Sequence, residues 1–148
     1  MIGLRLVRLI EKHSVEIADA LMNRLRTSER TLGYRDISQE ELRSSLVLLY
    51  THLEEWLLSK TESDIEILFK AIGAKRASEN IPANQMAWAI HMSKTQLWGF
   101  VHQESSAEKA MELYGELELL ETLDRFFDHA TCYALMGYEQ RAQAHKAA

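Results

Sequence analysis

The feature that most constrains the fold is the run from Ser106 to Gln143, which has no proline and only two glycines, Gly115 and Gly137. Within it Ala110, Leu113, Leu117, Leu120, Leu123, Phe127, Ala130 and Ala134 recur every three or four residues, and Leu119, Phe126, Tyr133 and Gly137 widen the band. That spacing predicts one unbroken helix, about 50 Å long at 1.5 Å per residue. A 148-residue globule is only roughly 40 Å across, so part of the helix must pack outside its own subunit's core. One arc of the band is expected to meet the chain's other helices. The adjoining arc is left for a second copy, with Leu113, Leu117, Leu120, Phe127 and Tyr133 the residues expected at that homodimer interface.

The other elements follow from the same period. Leu4, Val7, Ile10, Ile17, Leu21 and Leu25 predict a first helix from about Ile2 to Arg26, and Gly33 to Asp36 a loop. Ser38 and Glu41 have the spacing of a capping box, followed by a second helix to about Ser59 through Leu42, Leu46, Leu49, Leu53, Trp56 and Leu57. Thr61 to Asp64 starts a third helix, with Ile65, Leu68, Phe69 and Ile72 inward, and Asn80 and Pro82 end it. Ala83 to Glu104 is the fourth, and Ser105 with Glu108 opens the fifth. No stretch alternates at period two, and no linker rich in Pro, Gly or Ser divides the chain. The expectation is a single all-α domain, residues 1–148, of about five helices with a long C-terminal one.

Composition excludes several functions. A net charge of −5 gives no support to nucleic-acid binding. Seven acids against two bases between Glu108 and Asp128 predict an acidic, solvated stripe on the last helix. No uncharged run reaches membrane-spanning length, and Arg5, Arg8, Glu11 and Lys12 interrupt any signal-peptide core, so a soluble, cytoplasmic protein without membrane contact is expected. The single cysteine, Cys132, forms no internal disulfide.

The fourth helix has two apolar faces. Met86, Ile90, Ser93, Leu97 and Val101 form one, and Trp88, His91, Thr95, Trp98 and His102 the opposite one, leaving Gln85, Gln96 and Gln103 as a narrow polar edge. Aromatic walls with a few polar groups commonly line small-molecule cavities, so Trp88, His91, Thr95 and Trp98 are the candidate pocket for a small apolar ligand. No Glu-x-x-His, His-x3-His or Cys-x2-Cys occurs, so no metal site is expected. Cys132 and His129 lack an orienting third group, and no catalytic residue is expected. The Gly73 and Gly99 positions read as close helix contacts.

Several phrases carry a family resemblance: the loop and cap Tyr34-Arg35-Asp36-Ile37-Ser38-Gln39-Glu40-Glu41-Leu42, the Arg76 to Pro82 break, and Leu120 to Asp128 leading through Tyr133-Ala134 to Gly137-Tyr138. They resemble the N-terminal domain of RsbRD-type RsbT co-antagonists over nearly the whole chain. The resemblance implies a globin-like helical sensory module that lacks haem in its studied relatives, dimerises, and in stressosome proteins joins a STAS domain through its last helix. It carries no agreed catalytic set. The chain ends a few residues past the long helix, so a stand-alone input domain acting on STAS or kinase regulatory proteins is the expected function. The alternative is a haem- or tetrapyrrole-binding globin-like protein using His91; otherwise no cofactor is expected.

Overall fold

The computed structural model describes residues 1–105 and 109–147. Its α-helices are α1 (Leu4–Lys12), α2 (Ser14–Thr27), α3 (Gln39–Thr51), α4 (Glu62–Ser78), α5 (Ala83–Glu104) and α6 (Ala110–Ala147), with a 3-10 segment at Glu29–Asp36 and a π-helical turn at Glu55–Ser59. There is no strand among the described residues, so the all-α class holds. The expected start of the last helix at Ser106 to Glu108 lies outside the described residues.

The long helix is continuous through Gly137 for 38 residues, about 57 Å of rod. Its length is supported by α4, the element it packs against most extensively. The contact is made possible by small residues. Gly73 of α4 lies against the Ala134 carbonyl, Gly137 of α6 lies against the Lys70 backbone, and a Cβ on either would collide with main chain. Ala130, Ala134 and Gly137 thus form a stripe narrow enough for two helix backbones to touch. A second close approach pins the amino terminus, where a Cβ on Gly3 would stand 2.6 Å from the Gly115 carbonyl oxygen and the Ile2 amide donates to Glu118 Oε1 at 3.1 Å.

The first two expected helices are each divided. The run from Ile2 to Arg26 turns at His13 (φ −104°, ψ 21°), where the apolar series lapses between Ile10 and Ile17. Ser14 is buried there and receives a hydrogen bond from Thr51 Oγ1 at 2.9 Å, while the His13 ring packs on Phe100. The second helix stops at His52 and resumes as the π turn, closed by the Lys60 amide donating to the Glu55 carbonyl at 2.7 Å. Side-chain periodicity does not register this, because the π turn is the last before α4 and no helical residues follow it to reveal the shifted phase.

Caps mark the ends of α4. Thr61 Oγ1 accepts from the Asp64 amide and Asp64 Oδ2 accepts from the Thr61 amide, a complete capping box. At Ser38 only half the box forms. The Ser38 hydroxyl accepts from the Glu41 amide at 3.4 Å, but the Glu41 carboxylate turns instead to Lys75. The C-terminus of α4 ends on Asn80 at φ 60°, with the Ile81 amide donating to Arg76 and the Asn80 amide to Ala77, which satisfies carbonyls the helix would leave unpaired.

Gly99 corrects a sequence expectation, since nothing lies within 4 Å of a Cβ built on it. The two glycines therefore separate by experiment. Gly73→Ala should destabilise the fold by about 1–3 kcal/mol or more through overpacking, whereas Gly99→Ala should stabilise it by about 0.5–1 kcal/mol because alanine is the better helix former. Urea unfolding of the two variants measures both.

Candidate functional site

α3 packs on α2, and α4 packs on α6, but α3 and α4 make little direct contact with each other. The gap between them is a half-open cleft of about 400 Å³. Leu42, Leu46, Leu48 and Leu49 of α3 form one wall, Leu68, Phe69 and Ile72 of α4 the other, and Ala89, Ile90 and Phe127 the floor. Trp56 and Lys60 stand at one end, with the Lys60 ammonium 5.4 Å from the indole centroid. The opposite end is spanned by the ion pair between Glu41 of α3 and Lys75 of α4. The π turn is what brings Trp56 to this rim, and π turns recur where a helix is adapted to a site.

Arg76 also lines the cleft and is 7% exposed. One nitrogen, Nη1, donates to Glu79 Oε1 at 2.6 Å, and the guanidinium lies 5.5 Å from the Tyr34 ring centroid. Its Nε is shielded from water and has no hydrogen-bond partner, an arrangement that costs about 1–3 kcal/mol. Burial pushes the Tyr34 hydroxyl up to about 12, with Arg76 acting in the opposite direction. Behind the floor, Tyr50 is fully buried and its hydroxyl donates to the Ser93 carbonyl at 3.0 Å; that burial raises its pKa.

The four residues expected to form a pocket lie elsewhere. Trp88 is half-buried, with Arg30 3.8 Å from its ring and the exposed His91 edge-on at 5.6 Å. Trp98 Nε1 donates to Asp124 Oδ1 at 3.0 Å, which ties α5 to α6. Thr95 lines a more open depression beside His13 and Phe100. None of Trp88, His91, Thr95 or Trp98 lines the cleft. They occupy the outer arc of α5, with arginine and aspartate partners that the spacing of α5 alone does not disclose.

The expected interface residues divide as well. Leu120 and Phe127 are buried in their own chain's core, whereas Leu113 and Leu117 are exposed by 60% and 54%. Met111 and Tyr114 are exposed beside them. The acidic stripe is interrupted too: Glu116 turns inward, accepts from Ser105 Oγ at 2.5 Å and lies 3.9 Å from His102 Nδ1. Tyr133 is half-buried, and its hydroxyl donates to Glu62 Oε2 at 2.7 Å while His129 Nδ1 stands 2.9 Å from Glu62 Oε1.

Residues 15–147 match the family described as the RsbT co-antagonist protein rsbRD N-terminal domain. The chain belongs to this family. The RsbRD N-terminal domains are regulatory sensory modules of stressosome type. Neither the curated proteins nor the solved structures give a match. The matched span begins within α2 and covers both walls of the cleft and the whole of α6. Among the described residues no helix is long and apolar enough to cross a membrane, and no three His, Cys, Asp or Glu side chains are grouped to hold a metal.

The Glu62 cluster gives a pH signature. The Tyr133 hydrogen bond and then His129 hold the Glu62 carboxyl below its ordinary value of 4.5. A depressed folded-state pKa adds stability above the unfolded value and loses it as pH falls through the folded one. The stability gap between wild type and Glu62→Gln should therefore narrow from about pH 6 to about pH 3, measured by chemical denaturation at each pH.

Proposed function

We propose that this chain is the input element of a cytoplasmic, stressosome-type regulator. It acts as a homodimer and passes the state of its helical bundle to STAS or kinase regulatory proteins without catalysis of its own. The observation that carries the reading is the family match over residues 15–147. The form of α6 supports it. Its C-terminal half is locked into α4 by Gly73 and Gly137, while its N-terminal third presents Met111, Leu113, Tyr114 and Leu117 to solvent. Ile2, half exposed, lies against Gly115 and extends the apolar surface toward α1. Contiguous apolar surface of this kind marks interaction sites. On a two-fold axis the same patch serves both subunits.

In such a dimer a small apolar ligand, or a partner, that favours one packing of the bundle biases the register or crossing angle of the paired α6 helices. A rod spanning the molecule then carries that bias to a distant contact. The ligand acts only through its difference in affinity for the two packings.

The dimer is tested directly. Sedimentation velocity at tens of micromolar should give a dimer for wild type and a monomer for Leu117→Glu, since a carboxylate in an apolar interface has no partner. Unchanged helical content by circular dichroism distinguishes loss of association from loss of fold. A wild-type monomer at that concentration overturns the proposal.

A further inference from the structure

We infer that the cleft between α3 and α4 is a binding site for a small amphipathic organic anion, an apolar body ending in a carboxylate- or sulfonate-class group. The inference rests on the sensory reading above and names where, and to what chemistry, the input responds.

Size supports it first. About 400 Å³ falls within the range of roughly 300–1,000 Å³ of small-molecule sites. Lining supports it second. Leu68, Phe69, Ile72 and Arg76 follow one another along the wall that α4 presents, so a molecule lying along that helix meets three apolar side chains and then a cation. Water in the same space would cover apolar walls to no advantage.

Charge supports it third. The lining carries three cations, Lys60, Lys75 and Arg76, against one acid, Glu55; with Glu41 and Glu79 paired to Lys75 and Arg76 the charges balance, so the attraction for an anion rests on the unspent donors of Arg76. Lys75 is engaged by Glu41, and Arg76 spends only Nη1 on Glu79. The buried Nε is left without an acceptor, and an anionic oxygen that displaces the side chains now covering it would supply one. Arg76 therefore sets the end of the cleft where the head group sits, and Trp56 the end where the apolar body emerges. Glu41 and Lys75 bridge α3 and α4 beside the head-group end, and α4 is locked to α6. Occupancy of the cleft is thereby coupled to the long helix.

The test uses the full chain and two probes of nearly the same shape, anionic 1-anilinonaphthalene-8-sulfonate and neutral N-phenyl-1-naphthylamine. Both brighten on leaving water for an apolar site. Wild type should show one saturable site for the anion and bind the neutral probe about tenfold more weakly, the equivalent of one charge-assisted hydrogen bond. Ile72→Trp, at a partly exposed wall position, should fill the cleft and weaken both probes by about tenfold or more. Arg76→Gln should weaken the anion and leave the neutral probe unchanged; because Arg76 is buried, Ile72→Trp carries the test should that variant fail to fold. Absence of a saturable site, equal binding of the two probes, or titrations unaltered in Ile72→Trp overturns the inference. Sedimentation of the same samples keeps it apart from the dimer. A dimer that binds neither probe removes this site alone, and a monomer that binds the anion selectively supports the site while removing the dimer.

Discussion

The structure depends on one crossing, where Gly73 and Gly137 let the backbones of α4 and α6 meet with nothing between them. The 38-residue α6, like helices in proteins generally, owes most of its stability to the face it packs rather than to propensity. The glycines give up side-chain burial at two positions and gain close approach for every neighbour along the stripe, from Phe69 and Phe126 edge-to-face at 5.7 Å to Ala130 and Ala134. Around this pair the remaining helices are arranged as a cover. α5 is tied to α6 by Asp124, which accepts from Trp98 and lies 3.5 Å from Lys94, and Tyr138 fixes the connection after α4 by donating to the Ile81 carbonyl at 2.6 Å.

That arrangement also explains why a cleft survives. α4 is committed to α6 and α3 to α2, so the two do not close on each other, and their facing leucines and phenylalanine are left as walls. An ion pair, Glu41 with Lys75, bridges the gap beside Arg76. The site is thus a by-product of two stronger helix pairings and is lined by elements with different loyalties, which is the condition under which filling it can move one pair relative to the other.

How much of this was legible in the sequence differs by element. The long helix, α4, α5 and the stop at Asn80 and Pro82 follow from a 3.6-residue period and from the chemistry of proline and left-handed asparagine, both local properties. The turn at His13 shows only as a lapse in the apolar series between Ile10 and Ile17, and the π turn at Glu55 does not show at all, because it is the last turn before α4 and no residues follow it to reveal a shifted phase. The candidate site was missed for a different reason. Trp88 and Trp98 stand out on one helix, but a cleft is made by residues from several, and Arg76 looks in sequence like an ordinary surface cation until Tyr34 and Glu79 are seen around it. The half-formed box at Ser38 is the nearest thing to a signal: its glutamate is drawn away toward α4, and that diversion marks the mouth of the cleft.

The position of α1 has a consequence for self-recognition. The family match begins at residue 15, so α1 lies outside it, yet α1 and the residues before it are what approach α6 next to the exposed leucines. If copies of this chain pair through that surface, the choice of mate is written partly in a segment the shared pattern does not prescribe. Sister proteins in one cell, alike in their cores, would then have a means of sorting like with like.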